Sequence, residues 1–449
     1  MISSRRFARI QSVVPGTSLL PVPFGIAATT LVVLAATLTF DAFTSTGRIA
    51  AHRWLSVGNL DDARAILGGI LGAVSTVLAL IFSVTLLVFS MAVSQFGPRL
   101  MPYFLRDRTM QVALGLFLGT FLQSLGAFVA TGQRGASVFV PQLTVLTSVL
   151  LVFVSFCYLV FYNHRIALAI QTNNVLARIV EDLHAAIGKL SHQRVVDTGA
   201  ASSQRPEREE SADEIRQRCI AEGGVVNAIT SGYVQTVDRT HVVRAADQRG
   251  AIVCLAFRPG QFVLEGEALA RVLPAAHAEE LAATIHNAVK IGQHRTLEQD
   301  IEFAFAQLSE IALRALSPAI NDTFTGLSSI DWLGDALRMF AAFPASDGAW
   351  HTKLGAVRLL VPPLLFARVV GGAFDLIREA GAKNPAVTIR LLQTCARLAP
   401  QLLDSEQRRA LRSEVEAAHQ VAARWPDVHV DRDALEEAYR LASERLGAA

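Results

Sequence analysis

ILGGILGAVSTVLALIFSVTLLVFSMAV, residues 66–93, runs from Ile66 to Val93 without one ionisable side chain. As a helix it would be about 42 Å long at roughly 1.5 Å per residue, against a hydrocarbon core of about 30 Å. Such a run has no place on the surface of a water-soluble domain. Three more runs flank it, residues 24–43, 112–131 and 143–162, and Asp41 is the one charge inside them. The spacing therefore predicts four transmembrane helices in residues 1–165, followed by a long region with no further run of that length. The whole chain is 51% hydrophobic and 18% charged, the average expected when a membrane region is joined to a water-soluble one.

Charge placement predicts orientation. Lys and Arg in short loops are retained in the cytoplasm. Arg5, Arg6 and Arg9 precede the first run, Arg99, Arg106 and Arg108 separate the second from the third, and Arg165 and Arg178 follow the fourth. The connection between the third and fourth runs carries only Arg134. Both termini are expected in the cytoplasm. The start resembles a twin-arginine or cleavable signal, but its run is too long and is followed by three more, so an uncleaved anchor is expected. Cys157, Cys219, Cys254 and Cys395 form no CxxC pair or zinc spacing, so neither a disulfide framework nor structural zinc is expected in a reducing compartment. The balance of 41 basic and 39 acidic residues gives no case for a nucleic-acid partner.

Within the second run, projection at about 100° per residue collects Gly69, Gly72, Thr76, Ala79, Ser83, Ser90 and Ser94 on one stripe. Two readings follow. A packing seam uses small residues for close helix approach, with Gly69 and Gly72 as its contacts; a pore or solute path would use the hydroxyls of Thr76, Ser83, Ser90 and Ser94 in place of water. The third run has a similar stripe, Gln111, Gly115, Gly119, Gln123 and Gly126, where Gly115 and Gly119 predict tight packing. Between these runs, Gln95, Pro98, Arg99, Arg106 and Arg108 predict an elbow on the membrane surface, anchoring to anionic headgroups or gating a path. Asp41 is expected at the water interface. No chain of buried acids and bases crosses the runs, which argues against a proton-driven pump.

In the carboxy-terminal region, residues 166–212 predict a helical extension and then a flexible linker. Residues 213–275 predict a small β domain, with strands over Ile229–Val237, His241–Ala245 and Ala251–Phe257. Arg258 to Val272 places Gly260 and Gly266 at tight turns and resembles, locally, the barrel-sandwich hybrid fold; it contains no Lys for covalent modification. Residues 276–449 predict a helical domain, with one helix over Thr296–Leu316, a stop at Ser317-Pro318, and Asn321-Asp322-Thr323 capping the next. Asp300, Asn321, Asp322 and Asp331 could in principle hold a cation, but capping and ion pairing explain them, and no metal or other cofactor is expected.

Several of these stretches together resemble a family of bacterial predicted membrane proteins of unknown function. They are Ser94-Gln95-Phe96-Gly97-Pro98-Arg99, Leu114 to Phe121 with Gln111, Gly232-Tyr233-Val234-Gln235, Arg295-Thr296 with Gln299-Asp300, and Ile311 to Asp322, in which Arg314, Ser317, Asn321 and Asp322 stand. The resemblance departs at Gly97, where the family usually has Ser, and at Thr323, where it usually has Pro. It implies several amino-terminal spans, a large soluble carboxy-terminal region and the bacterial inner membrane, with no established activity. No Ser-His-Asp spacing, HExxH, P-loop or GxGxxG is present, so an enzyme is not expected. Two functions are carried forward: a homo-oligomeric channel or passive solute path with a cytoplasmic vestibule, and a membrane-anchored sensor or scaffold whose soluble region binds a partner or ligand.

Overall fold

The computed structural model describes residues 20–44, 59–97, 101, 105, 107–134, 137–169, 171–191, 195–196, 210–343, 347–353, 355–422 and 429–447. The chain forms two compact units, Met1–Asn174 and Val175–Ala449.

The first unit has four helices of membrane-spanning length and composition, α1 (Pro21–Thr44), α2 (Leu60–Phe96), α3 (Arg108–Ala130) and α4 (Gln142–Ala169), with the short antiparallel pair β1 (Gly132–Arg134) and β2 (Ser137–Phe139) before α4. Helix α3 is central: half of its apolar stretch is buried, against 28% in α1 and 22% in α2 and α4. Its glycines explain why. A Cβ at Gly115 would stand 2.7 Å from the Ile26 side chain, one at Gly119 2.8 Å from Thr30, and one at Gly126 would collide with Leu34. Helix α1 therefore lies on α3 at backbone distance, the contact that small residues permit in lipid. Polar side chains join the other helices: Thr120 and Ser155 hydroxyls are 2.8 Å apart, Gln123 Nε2 donates to Thr147 Oγ1 at 3.1 Å, and Thr85 meets the Tyr162 hydroxyl at 3.2 Å.

Asp41 is not open to solvent. It is 6% exposed, and its carboxylate accepts from Leu143 N at 3.0 Å and from Thr144 N and Oγ1 at 2.9 and 2.7 Å. It caps the first turn of α4 across a gap of a hundred residues in sequence, where the helix dipole and unpaired amides favour an anion.

The second unit opens with α5 (Thr172–Ser191), which starts within the first, and β3 (Val195–Val196), then α6 (Ala212–Glu222), β4 (Gly224–Asn227), β5 (Gly232–Val237), α7 (Arg239–Asp247), β6 (Ile252–Leu255), β7 (Phe262–Val263), β8 (Ala268–Leu273), α8 (Ala278–Ala288) and β9 (Val289–Gly292). Helices α9 (Ile301–Ala315) and α10 (Thr323–Ala341) precede β10 (Ala349–Thr352) and β11 (Val357–Leu360); α11 (Phe366–Ala380), α12 (Pro385–Leu398), α13 (Ser405–Ala422) and α14 (His429–Gly447) end the chain. One sheet has the order β3-β10-β11-β6-β8-β4, with β11 parallel to β6 and β3 parallel to β10; the other is antiparallel β7-β5-β9. Their shared core holds Val234, Val253, Val263, Leu269, Leu281 and Leu359.

Four expectations are corrected. His241–Ala245 is helical, because Asp238 caps His241 N and Val242, Val243 and Ala246 bury one side of α7. The region after Pro274 is not wholly helical, since β9, β10 and β11 come from it and complete both sheets. Thus the barrel-sandwich likeness is confined to its turns, Gly260 at φ +94° and Gly266 at φ +84°. Cys219 on α6 and Cys254 on β6 are disulfide-bonded across 35 residues, a pairing made by α6 packing on the sheet with Ile215, Leu273 and Leu360, and invisible to local spacing.

The terminal helices share a buried ion pair. Arg378 Nε on α11 donates to Glu414 Oε1 on α13 at 3.0 Å, and Arg378 also holds Asp375. Burial outweighs Arg378 and pushes the Glu414 carboxyl up to about 7 from 4.5. The folded chain thus keeps a proton that the unfolded chain has released, and stability falls as pH rises from about 4.5 to 7.

Two predictions follow from these contacts. Gly119→Leu should lower the thermal midpoint of the detergent-solubilised chain, by an amount equivalent to about 2 kcal/mol or more, whereas Gly72→Leu should leave the isolated chain's midpoint unchanged; equal losses would contradict the packing described. Glu414→Gln should flatten the fall of the midpoint between pH 4.5 and 7, which for the native chain amounts to on the order of 3 kcal/mol; an unchanged slope would assign it elsewhere.

Candidate functional site

Among the described residues of the first unit, helix α2 keeps its small-residue stripe clear of the other helices. Gly69, Gly72, Thr76, Ala79, Ser83, Ser90 and Ser94 are all exposed, and nothing stands within 4 Å of a Cβ built at Gly69 or Gly72. Thr76 donates to Gly72 O at 2.9 Å, Ser83 to Ala79 O at 3.0 Å and Ser94 to Met91 O at 2.8 Å, so these hydroxyls bond back onto their own helix. Of the elbow, Gln95 ends α2 exposed and Arg108 begins α3 exposed, while Pro98, Arg99 and Arg106 lie outside the described residues. Gln111 donates to Leu105 O at 2.8 Å and ties α3 to the preceding turn.

The carboxy-terminal motif residues divide into two groups. Arg314, Ser317, Asn321 and Asp322 build the turn between α9 and α10. Arg314 pairs with Glu310 at 3.6 Å, Ser317 Oγ donates to Arg314 O at 2.7 Å, and Asp322 accepts from Thr325 N at 3.0 Å as the cap of α10. The Thr325 hydroxyl, and then its amide, draw the Asp322 carboxyl below its ordinary range. Asn321 sits at φ +51°, a left-handed conformation that Asn tolerates better than most side chains. Thr323 occupies the first position of α10, where Pro is also well suited, and its hydroxyl accepts from Asn384 Nδ2 at 2.8 Å.

Arg295, Gln299 and Asp300 form a clamp between the strands and α9. Asp300, 2% exposed, accepts from Arg295 Nε at 2.7 Å and Nη2 at 2.9 Å while capping Phe303 N at 3.1 Å. Burial raises its carboxyl even against the Arg295 bonds. Gln299 pairs with both backbone groups of Val237 on β5, at 3.0 and 3.1 Å. Gly260 lies so close over Asp300 that no Cβ fits, and its φ of +94° excludes other residues independently.

Beside the clamp lies a cavity of about 580 Å³, within the size range of small-molecule sites. Gln299, Asp300 and Glu302 form one part of its wall, Arg239, Arg258 and Trp350 a second. Phe340, Phe343, Phe366 and the Pro362-Pro363 turn add apolar surface, and Gln407 and Ala410 of α13 close another side. The charges differ in how they are answered. Arg258 Nη2 donates to Glu302 at 2.6 Å, and Glu302 also accepts from Arg368 at 3.3 Å. Burial works to raise the Glu302 carboxyl, but Arg258 and Arg368 together bring it below its ordinary range. Asp404 accepts from Gln407 N at 2.7 Å. Arg239 has no such answer. Its guanidinium lies over the Trp350 ring, 5.0 Å from the centroid, its Nε is buried without a hydrogen-bond partner, and no carboxylate among the described residues pairs with it. Burial pushes its pKa down to about 10.

Comparison with known proteins places this arrangement. The model of the family described as "Predicted membrane protein (DUF2254)" matches residues 16–397. The chain belongs to that family. The DUF2254 match takes in all four spans, both motif groups, Arg239 and Trp350, but stops short of α13. The chain is similar to Uncharacterized protein Rv1290c of Mycobacterium tuberculosis, 28% identical over 375 residues, which is 82% of this chain and 69% of that protein. It is equally similar to Uncharacterized protein Mb1321c of Mycobacterium bovis, with the same identity and shares. No solved structure matches this DUF2254 chain.

Local spacing flagged the clamp but not the cavity. Arg239 stands between two segments read as strands, Ile229–Val237 and His241–Ala245, and Trp350 and Phe340 reach it from more than a hundred residues away. Arg295→Met should leave Asp300 buried without its cation and lower stability by about 3 kcal/mol, less at acid pH where Asp300 protonates; a thermal midpoint within error of the native chain at neutral pH would contradict the clamp.

Proposed function

We propose that this DUF2254 member is a membrane-anchored binding protein, held by its four spans, whose second unit takes a small molecule. The observation that carries the reading is the 580 Å³ cavity bordered by the Arg295–Asp300 clamp. Its described lining contains no His, Cys or Lys and one hydroxyl, Ser413. Charge, amide and apolar surface are what such a wall offers, which suits recognition better than bond-making chemistry. A scaffold alone would have no need of a volume this size left open in a unit whose core is otherwise filled by Val, Leu and Ile.

A second reading, a homo-oligomeric solute path along α2, is favoured by one fact: the stripe from Gly69 to Ser94 is left exposed while the comparable stripe on α3 is fully used. Close approach of another copy would account for it, and hydroxyls between copies would line a path.

One comparison separates the two. The full chain, purified from bacterial membranes, is extracted and its small molecules identified by mass spectrometry beside an Ala367→Trp variant, whose ring fills the cavity mouth; both are also recorded in planar bilayers. A compound retained by the native chain and absent from the variant supports the binding reading. Identical extracts together with discrete currents, abolished by Ser83→Leu or Ser90→Leu, would replace it with the solute path.

A further inference from the structure

Resting on the reading of this cavity as a binding site, we infer that its ligand is a small organic anion, a carboxylate or a phosphate on an apolar or planar body, with the anionic group set against Arg239. A guanidinium withdrawn from water is ordinarily matched by a carboxylate, because an unpaired buried charge loses hydration without recovering it. The two buried charges of the wall obey that rule: Asp300 has Arg295, and Arg258 has Glu302, whereas Arg239 is half-buried with its Nε out of reach of water. Arg239 has the face of Trp350, which orients the guanidinium plane but supplies no oxygen. Its planar donors are therefore presented to the cavity already oriented, the arrangement that favours two-point contact with a carboxylate or phosphate.

Among the described residues, the acids of the wall that could compete for Arg239 are accounted for. Asp300 and Glu302 are held by Arg295, Arg258 and Arg368, and Asp404 caps the turn before Gln407. Glu406 lines the mouth but is exposed to solvent. The remaining wall describes the rest of the ligand. Phe340 and Phe366 are stacked, with ring centroids 6.1 Å apart and planes within 6°, and the Pro362-Pro363 turn continues that apolar surface. A free inorganic ion would leave this surface bare, so the anion carries a body.

The test uses the full chain in nanodiscs of zwitterionic phosphatidylcholine, so that the membrane supplies no net anionic headgroup. Trp54, Trp332 and Trp425 are changed to Phe, leaving Trp350 as the single fluorophore. Phenyl phosphate, benzoate and the neutral benzyl alcohol are titrated. The expected result is saturable change in Trp350 emission by at least one of the two anions, about tenfold or more weaker for benzyl alcohol, with the better anion distinguishing phosphate from carboxylate. Arg239→Met should lose that preference about tenfold, and, without ligand, should raise the thermal midpoint because a half-buried charge with no carboxylate partner among the described residues is removed. An exposed-surface control, Arg440→Met, should bind like the parent.

Equal binding of benzyl alcohol and the anions, or unchanged anion binding by a folded Arg239→Met chain, would overturn the anion assignment while leaving the cavity a binding site. A lowered midpoint of Arg239→Met without ligand would make Arg239 a structural residue and overturn it as well. No saturable response to any of the three probes would overturn both the assignment and the reading on which it rests.

Discussion

The ion pair between Arg295 and Asp300 is the contact on which the second unit turns. A carboxylate with 2% exposure receives two guanidinium bonds and one backbone amide, and the glycine above it is there because nothing larger fits. This one group ends a loop and begins α9, and its neighbour Gln299 ties that start to strand β5. The cavity inherits its rim from that arrangement, so the apolar wall and the guanidinium over Trp350 keep their separation only while Asp300 stays seated. A buried pair of this kind adds little net stability compared with well-packed apolar residues, and its value lies in specifying one geometry.

The membrane unit shows the same residue pattern put to two uses. Small residues at helical spacing occur on α2 and on α3. On α3 they are consumed by α1, whose Ile26, Thr30 and Leu34 occupy the space that side chains would have filled. On α2 they meet nothing among the described residues of the unit. Inside a bilayer apolar side chains gain little from leaving lipid for protein, so close packing and polar contacts decide which faces associate.

Much of this architecture was legible in advance, for physical reasons that also mark where legibility stops. The four spans follow from a length requirement that residues 66–93 satisfy unaided. The α9–α10 turn follows from proline geometry and from the capping oxygen of Asp322. Gly260 and Gly266 were placed at turns because their neighbours alternate. What escaped depends on encounters between distant residues: Asp41 with the first turn of α4, Cys219 with Cys254, Arg239 with Trp350. A carboxylate near the end of an apolar run looks the same whether it faces water or caps a neighbour. The helical form of His241–Ala245 likewise depends on the Asp238 cap and on a core around Val242 and Val243 that comes from outside that segment.

The Asp41 cap sets a mechanical limit on the membrane unit. Its oxygens hold two backbone amides and a hydroxyl at the start of α4, so sliding α1 along its axis by one helical turn, about 5.4 Å, would break all three bonds together and leave the carboxylate and its donors without these partners. The same slide would carry Ile26, Thr30 and Leu34 off the glycines of α3.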